Sequence, residues 1–269
     1  MNVRKVVIVT KPKQADVARV AGELSEWFSR RNITASLESS NAADADLAVV
    51  VGGDGTLLAA ARLLGRRQVP IVAINYGSLG FLTEVTLDEM YPALERVLAG
   101  EFVIQDRMMM DLHISRQSKR LANYCALNDV VINKGNLSRM IELEVRIDGQ
   151  YVTRFRADGL IVSTPTGSTA YNLSAGGPII FPTMSAMVVT PICSHTLTNR
   201  PIVLSESVQI EIQLRSAQDD VYTTVDGQVG LKLEMDDRVV VGKSAVAVRL
   251  VAPADKNYFD VLRGKLKWG

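Results

Sequence analysis

The chain has 269 residues, and its 30 Lys and Arg residues nearly balance its 29 Asp and Glu residues, which leaves a formal charge of +1. This balance does not favour nucleic acid or an anionic membrane as the main partner, and no run of about 18 apolar residues could span a bilayer. The N-terminal segment lacks the apolar core of a signal peptide. The two cysteines, Cys125 and Cys193, lie beside apolar residues, so we expect buried structural thiols and a cytoplasmic protein.

The first hundred residues alternate between strand and helix patterns. Strand patterns occur at 5–9, 33–39, 45–51 and 69–74, and the β-branched run at 5–9 suits a strand covered on both faces. A helical apolar stripe from Val17 to Phe28 separates the first two runs, and "LLAAARLLG", with Gly65 as its C-cap, separates the last two. A further helix is predicted over 86–99, with Thr86 as N-cap and Gly100 at its end. This order predicts an α/β domain with a Rossmann-like parallel sheet.

The pattern changes from about residue 102. Residues 140–164, "MIELEVRIDGQYVTRFRADGLIVST", alternate with period two around an Asp-Gly turn, and further strand patterns follow without intervening helices. We therefore expect an α/β domain over 1–100 and a mainly antiparallel β-sandwich over 101–252. The tail 253–269 carries several aromatic and aliphatic residues, so we expect it to dock back on the first domain.

The turn Gly52-Gly53-Asp54-Gly55-Thr56 follows a predicted buried strand. Its glycines allow successive backbone N–H groups to face an anion beside a helix N-terminus, which Thr56 could cap. The pattern is neither a Walker A loop nor a G-x-G-x-x-G fingerprint. A tight turn with Asp54 as a capping residue is the alternative interpretation.

Two further stretches favour a ligand site. "NYGSLGFL" (75–82) follows the next strand in the same way, so both loops should offer backbone amides at one edge of the sheet. "TPTGSTAYNLSAGGPII" (164–180) is an uncommon composition for a β-domain unless it contacts a ligand, although an ordinary surface loop is the alternative. Tyr171 offers a ring for adenine stacking, and the hydroxyl donors are Thr164, Thr166, Ser168, Thr169 and Ser174.

Carboxylates recur beside these loops. Asp226-Gly227, like Asp148-Gly149, is by default a hairpin turn, whereas Asp158 directly precedes the threonine-rich stretch and is a candidate ligand residue. A carboxylate such as Asp54 among phosphate-binding amides is unfavourable for simple binding. It suits phosphoryl transfer, which needs a group to orient the attacking hydroxyl and oxygen ligands for Mg²⁺.

Over nearly the whole chain, the motifs resemble the bacterial NAD kinase family. They are "GGDGT" (52–56), "NYGSLGFL" (75–82), "ALNDVVI" (126–132), "DGLIVSTPTGSTAYNLSAGGPI" (158–179), "HTLTNRPIV" (195–203), "DGQ" (226–228) and "YFDVLRGKLKWG" (258–269). The resemblance implies an α/β domain, a β-sandwich domain and a site between them. It also implies transfer of the γ-phosphoryl group of ATP to the 2′-hydroxyl of the adenosine ribose of NAD.

The resemblance assigns roles by position. It makes Asp54 the proton acceptor, with Gly55 beside it on the ligand, and no protein residue is assigned as a metal ligand. Asn128 and Asp129 fall on a family "NE" pair that contacts the dinucleotide, and aspartate is one methylene shorter than the usual glutamate. Ala59 stands where the family often has a basic residue. The remaining ligand-contacting positions are Arg139, Arg156, Asp158, Thr169, Ala170, Tyr171, Asn172, Leu173, Ser174 and Gln228.

The implied substrates are ATP and NAD with a divalent cation, Mg²⁺ first, and the implied assembly is a homo-oligomer, either a tetramer or a dimer. The apolar segment 182–193 fits either a subunit interface or the core. Two other functions remain open. A lipid kinase of the diacylglycerol type shares GGDGT but would need an apolar pocket or membrane-binding face, and a non-catalytic NAD(P)-binding module would tolerate loss of Asp54. A dehydrogenase is disfavoured because the G-x-G-x-x-G fingerprint is missing.

Overall fold

The computed structural model describes residues 3–11, 15–37, 44–64, 67–77, 80–135, 139–196, 198–217, 220–252 and 257–268. The chain divides into two compact units. The first combines residues 1–106 with 247–269, and the second is residues 107–246. The predicted C-cap Gly65 lies outside the described residues, as do residues 253–256 and 269 of the tail.

The first unit alternates strands and helices, as the sequence predicts. Its strands are β1 (Lys5–Thr10), β2 (Thr34–Ser36), β3 (Leu47–Gly52), β4 (Ile71–Asn75) and β5 (Val85–Thr86). Its helices are α1 (Ala15–Ser29), α2 (Asp54–Leu64), α3 (Met90–Ala99) and the C-terminal α5 (Tyr258–Leu266).

The sheet of this unit is parallel. Its strands run in the order β2, β1, β3, β4, and β5 pairs with β4. Every residue of β3 and β4 is buried, which explains why both strands read as uninterrupted apolar runs. The register pairs Gly52 with Asn75, so the loops that follow β3 and β4 leave the sheet at the same carboxyl edge.

Helix α3 begins later than predicted, so Thr86 is not its N-cap. The helix starts at Met90, and Thr86 ends β5. The Thr86 backbone N–H and hydroxyl both donate to Glu89 Oε2 at 3.0 Å, so the polar pair fixes a turn before the helix. Gly100 ends the helix as predicted, with φ 86° and its N–H directed at the carbonyls of Arg96 and Val97.

Helix α5 places the tail within the first unit. Val261 and Leu262 are buried, and the Asn257 side chain accepts a hydrogen bond from the Asp260 N–H as N-cap. The Lys265 ammonium lies 5.7 Å from the centre of the Phe81 ring. The last turn therefore contacts the loop that follows β4.

The second unit consists mainly of strands. They are β6 (Val103–Arg116), β7 (Lys119–Ala126), β8 (Asp129–Lys134), β9 (Ile141–Ile147), β10 (Gln150–Ala157), β11 (Gly159–Ser163), β12 (Ala186–Ile192), β13 (Ile202–Ser205), β14 (Ile210–Leu214), β15 (Val221–Val225), β16 (Val229–Leu233) and β17 (Arg238–Ala252). Strands β6 and β17 carry the chain between the units, and β17 unites two segments that the sequence suggests as separate strands.

Two antiparallel layers enclose one core in this unit. One layer contains β10, β9, β14 and β17 in that order together with β6 and β7, and the other runs β13, β12, β11, β8, β15, β16. Alternate residues of both layers, from Met110 on β6 to Phe155 on β10 and Val189 on β12, form the shared apolar cluster. The sandwich expected from the period-two pattern is confirmed.

Three expectations about burial need correction or resolution. Cys193 is exposed rather than a buried thiol, whereas Cys125 is half-buried. Strand β12, which covers most of the segment 182–193, is buried throughout within this chain, which favours the core interpretation of that segment.

Among the described helices, none is long and apolar enough to cross a membrane.

Candidate active site

The GGDGT turn joins β3 directly to α2. Gly52 is the last residue of β3 and Asp54 is the first residue of α2. Thr56 therefore lies inside the helix and is not its cap, contrary to expectation. Its side chain packs on Gly52, where a Cβ atom would overlap it. The glycine thus allows α2 to begin immediately above the end of the strand.

The loop after β4 donates three hydrogen bonds to the Asp54 carboxylate. Phe81 N–H donates to Oδ2 at 2.9 Å, Leu82 N–H donates to Oδ1 at 3.2 Å, and the Thr83 hydroxyl donates to Oδ1 at 3.1 Å. The amides at positions 81 and 82 are therefore occupied by Asp54 and not offered to phosphate, which corrects the sequence-based expectation for this loop. These three hydrogen bonds stabilise the negative charge of the carboxylate in the turn.

Gly80 makes this arrangement possible. A Cβ atom at this position would overlap both Asp54 Oδ1 and Thr83 Oγ1. Any side chain would therefore push the loop away from the carboxylate. The glycine of "GFL" is required for close approach to Asp54.

Gly55 and Asn75 also lie at this edge of the sheet. Gly55, in the first turn of α2, is exposed. Asn75 ends β4 next to Gly52 and is 3% exposed, and neither atom of its carboxamide has a hydrogen-bond partner among the described residues. Neither Asn75 nor Thr83 was among the residues predicted from the sequence; a polar residue at the end of an apolar strand was the available signal for Asn75.

In the second unit, Asn128 and Asp129 lie at the start of β8, next to the Asp226-Gly227 turn. Asp226 and Gly227 have φ values of 51° and 63° and join β15 to β16, as the default hairpin interpretation predicts. The Asp226 carboxylate also accepts hydrogen bonds from the N–H groups of Leu127, Asn128 and Asp129.

Asp129 is a buried acid beside a second buried acid. Its side chain is 4% exposed, and Asp226 is 7% exposed. Burial, and beside it the charge of Asp226, raises the pKa of Asp129 to about 7. Protonation of this carboxyl therefore changes near neutral pH.

The threonine-rich stretch is not an ordinary surface loop. It contains a 3₁₀ turn (Thr166–Thr169) and a short helix α4 (Tyr171–Ser174). Thr164 and Ser168 are fully buried, and their hydroxyls donate to the carbonyls of Leu127 and Pro165. These hydroxyls hold the segment on the sheet, which corrects the expectation that they are ligand donors.

Asn172 is the internal anchor of this stretch. Its Nδ2 donates to the Ser168 and Pro178 carbonyls at 2.9 and 3.0 Å, and its Oδ1 accepts from the Thr190 hydroxyl at 2.6 Å. The side chain is fully buried. It therefore binds protein, and the groups that face outward are Tyr171 and Ser174, which are exposed, and Ala170 and Leu173, which are half-buried.

Other candidate residues lie at different places in the unit. Asp158 follows β10 and pairs with Lys134 at 2.9 Å, and Arg156 Nε lies 3.5 Å from Glu142. Because Ser163, not Gly159, pairs with Asp129, the length of β11 separates Asp158 from Asp129 by roughly 16 Å.

The remaining two candidates are exposed. Gln228 follows the Asp226 turn, where its N–H donates to the Val225 carbonyl, and Arg139 lies just before β9. Gln228 thus lies beside Asp226, which accepts hydrogen bonds from residues 127–129.

The described residues contain no group of three or more His, Cys, Asp and Glu side chains arranged to hold a metal ion.

Comparison with known proteins gives consistent results. Residues 7–102 match the family described as ATP-NAD kinase N-terminal domain, and residues 127–252 match the ATP-NAD kinase C-terminal domain. The NAD kinase of Citrifermentans bemidjiense is 50% identical over 285 aligned positions, which cover 99% of each chain. The NAD kinase of Geobacter sulfurreducens is 48% identical over 281 positions, with the same coverage.

Two solved structures share the fold. Yeast NADH kinase in complex with NADH superposes with a TM-score of 0.88 at 26% identity, covering 100% of this chain and 88% of that chain. An NAD kinase from Archaeoglobus fulgidus in complex with ATP gives a TM-score of 0.80 at 27% identity, covering 98% of each chain. These matches support the first of the three functional hypotheses. The chain therefore belongs to the ATP-NAD kinase family, and it is an NAD kinase.

Proposed function

We propose that Asp54 accepts the proton of the 2′-hydroxyl of the NAD adenosine ribose while that oxygen attacks the γ-phosphorus of ATP. The O–P bond to the ribose forms as the bond to ADP breaks, and the electron pair leaves with the β-phosphate oxygen. The observation that supports this role is the hydrogen-bond pattern of Asp54. Among the described residues, Oδ1 accepts two bonds and Oδ2 accepts one, so Oδ2 retains capacity for a hydroxyl.

The rigid hold on Asp54 suits a loose phosphoryl-transfer transition state. Such a transition state has little covalent character at the nucleophile, so orientation of the hydroxyl contributes more than base strength. Three donors from residues 81–83 restrict the carboxylate to one orientation. Asp54 thus combines positioning with proton acceptance.

We assign the triphosphate to the N-terminus of α2, where Gly55 is exposed and the helix is 11 residues long. Mg²⁺ fits this arrangement because it is commonly held by substrate phosphates together with one or two carboxylates. Asp54 is the carboxylate in this turn that could supply one oxygen. When bound, the cation neutralises negative charge on the transferring group.

In the second unit, we assign the NAD ribose and adenine to Asn128, Asp129 and Tyr171. Asp129 has no hydrogen-bond donor among the described residues, so the hydroxyl groups of a ribose would supply the missing donors. The Tyr171 side chain is 43% exposed and can stack on adenine.

The other assigned contacts follow from exposure and chemistry. Arg139 and Arg156 carry exposed guanidinium groups suited to phosphate, and Gln228 lies beside the Asp226 cluster. Asp158 is assigned a contact with a donor group of the dinucleotide. Around Tyr171, the assigned contacts are made by Thr169, Ala170, Leu173 and Ser174 and by the backbone of Asn172.

We further propose a cytoplasmic homo-oligomer, either a tetramer or a dimer, that does not use nucleic acid or a membrane as a partner. The near-neutral charge balance supports the last two parts.

The test is formation of NADP from NAD, ATP and Mg²⁺, followed with an NADP-specific dehydrogenase. We expect activity in the wild type and a loss of about 10³-fold in kcat for Asp54→Asn, because an amide cannot accept the proton, although its oxygen can still accept from Leu82 and Thr83. Absence of NADP from the wild type would contradict the function. Full activity in the variant would contradict the role of Asp54.

Asp46→Asn is a matched control. Asp46 also belongs to the first unit and also accepts two backbone N–H groups, from Arg4 at 2.8 Å and Lys5 at 2.9 Å. It precedes β3, whereas Asp54 follows it. We expect this variant to keep wild-type kcat, so a general effect of replacing an amide-bound aspartate is separated from loss of the proton acceptor.

A further inference from the structure

In residues 127–129, which include Asn128 and Asp129, every backbone N–H and C=O group makes a hydrogen bond. All three N–H groups donate to the carboxylate of one residue, Asp226: Leu127 to Oδ2 at 3.2 Å, and Asn128 and Asp129 to Oδ1 at 2.8 and 3.2 Å. The Asp129 carbonyl accepts the Asp226 N–H at 2.9 Å. Asp226 alone therefore satisfies four of the six backbone groups.

Thr164 satisfies the other two from the opposite side. Its hydroxyl donates to the Leu127 carbonyl at 2.6 Å, and its N–H donates to the Asn128 carbonyl at 2.9 Å. Gly167 packs so closely on Asn128 that a Cβ atom there would overlap the Asn128 backbone. The stretch is thus clamped between the Asp226 turn and the start of the threonine-rich segment.

This clamp fixes the backbone but leaves the side chains free for another partner. Asn128 Oδ1 is buried without a hydrogen-bond partner among the described residues. Asp129 is buried as well, and no donor from the part of the chain that the structure describes reaches its carboxyl group. A rigid backbone that carries a buried carboxyl and a buried carboxamide oxygen without a partner among the described residues is typical of a preorganised binding site.

We propose that Asp226 is a positioning residue that holds residues 127–129 so that Asn128 and Asp129 present their side chains to the dinucleotide. The proposal rests on the proposed function, because it takes the ligand to be NAD. Asp226 itself acts through the backbone of its neighbours. Its role requires a carboxylate, since three converging N–H donors need a group that only accepts.

The same geometry has an electrostatic consequence for Asp129. The residues that pair with this part of β8 do not ionise: Ser163 pairs with Asp129 from β11, and Val225 pairs with Val130 from β15. Within the described residues, Asp226 is the charged group that acts on Asp129, and it raises the pKa of Asp129 together with burial. We therefore expect NAD to bind more weakly below about pH 7, where Asp129 is protonated.

The first experiment measures the dissociation constant of NAD by calorimetry in the absence of ATP, for the wild type and Asp226→Asn. The amide of the variant turns a donor toward one of the backbone N–H groups and removes the charge. We expect about tenfold weaker binding of NAD, with the KM for ATP changed by less than about twofold because the residues assigned to ATP belong to the first unit.

Asp148→Asn provides the matched control. Asp148-Gly149 is a turn of the same kind in the same unit, with φ values of 49° and 77°. Its carboxylate accepts one N–H, that of Gln209 at 2.8 Å, and is remote in sequence from residues 127–129. We expect NAD affinity within about twofold of the wild type, since only a turn is affected.

The pH dependence distinguishes a positioning role from simple loss of structure. In the wild type, the affinity for NAD should fall on the acid side of a midpoint near pH 7. In Asp226→Asn the midpoint should move to lower pH, because the like charge is gone and only burial raises the pKa of Asp129. In Asp129→Asn the midpoint should vanish.

A second variant keeps the charge and releases the other side of the clamp. Thr164→Val removes the hydroxyl that bonds Leu127, so NAD should bind several-fold more weakly while the midpoint stays near pH 7. This variant tests the clamp even if Asp226→Asn does not fold.

The outcomes separate the two proposals. Wild-type protein that binds NAD but forms no NADP would contradict the proposed reaction and leave the role of Asp226 standing. Unchanged NAD affinity in both Asp226→Asn and Thr164→Val would overturn the role of Asp226.

Discussion

Asp54 in the first unit and Asp226 in the second both accept hydrogen bonds from backbone N–H groups, but they differ in their exposure to solvent. Each carboxylate accepts three hydrogen bonds from a neighbouring loop: from residues 81–83 for Asp54, and from residues 127–129 for Asp226. Asp54 is half-exposed, whereas Asp226 is 7% exposed and has a second carboxyl beside it.

The difference shows how a common motif serves two tasks. A carboxylate that organises a loop and still reaches solvent can act on a substrate, whereas a buried one can act only on the residues that it holds. Exposure rather than hydrogen-bond count therefore separates the proposed proton acceptor from the proposed positioning residue.

The strongest way to break the comparison is to move the loop away from Asp54. Gly80→Ala places a Cβ atom against Asp54 Oδ1 and Thr83 Oγ1, so the loop must shift. We expect kcat to fall by about 10²-fold, since a displacement of about 1 Å at a reacting group has effects of this size. Steady-state formation of NADP measures it.

Gly22→Ala is the control for the previous variant. Gly22 lies in α1, and a Cβ atom there would have no neighbour within 4 Å. The variant should keep its activity and gain about 0.5–1 kcal/mol of stability, because alanine is the better helix former. Wild-type kcat in Gly80→Ala would show that close contact with the loop does not determine the action of Asp54.

A smaller effect is expected from removal of one donor to Asp54. Thr83 is fully buried, and its hydroxyl bonds Asp54 Oδ1 at 3.1 Å. Thr83→Val preserves the shape and deletes the donor, so kcat should fall about tenfold, as for a hydrogen bond to a charged group. Thr83→Ser retains the hydroxyl and should stay close to the wild type; equal loss in both variants would point to packing instead.

A further prediction concerns the pH dependence of stability, to which Asp129 of the second unit contributes. The pKa of Asp129 is raised to about 7 in the folded protein, so folded protein binds a proton that unfolded protein has released above about pH 4. The contribution of Asp129 to stability is therefore present at low pH and is lost as pH rises to about 7.

Asp129→Asn removes the decrease in stability that ionisation of Asp129 causes as pH rises. Its unfolding free energy should exceed that of the wild type by about 4 kcal/mol at pH 8 and match it near pH 4, measured by urea unfolding. A constant difference at both pH values would contradict a buried acid that ionises near neutrality.

The sequence predicted the strands and turns more accurately than it predicted which polar residues are buried. Period-two alternation and apolar runs predicted the parallel sheet, the sandwich and the Asp-Gly turn at 148–149, because these patterns depend on neighbours within the strand or turn. The hydroxyls of Thr164 and Ser168 were expected to face a ligand, and they hold the segment instead. Composition does not reveal which side of a segment packs on a sheet.

By itself, the sequence determined the fold class, the position of Asp54 at a strand-to-helix turn, and the family to which the motifs belong. These features follow from local periodicity, from glycine geometry and from residues adjacent along the chain. Only the tertiary structure decided which groups the carboxylates bind. Asp54 meets residues 27 to 29 positions away, and Asp226 meets residues 97 to 99 positions away. Such partners are chosen by the packing of strands and loops that are distant along the chain, and no local pattern records them.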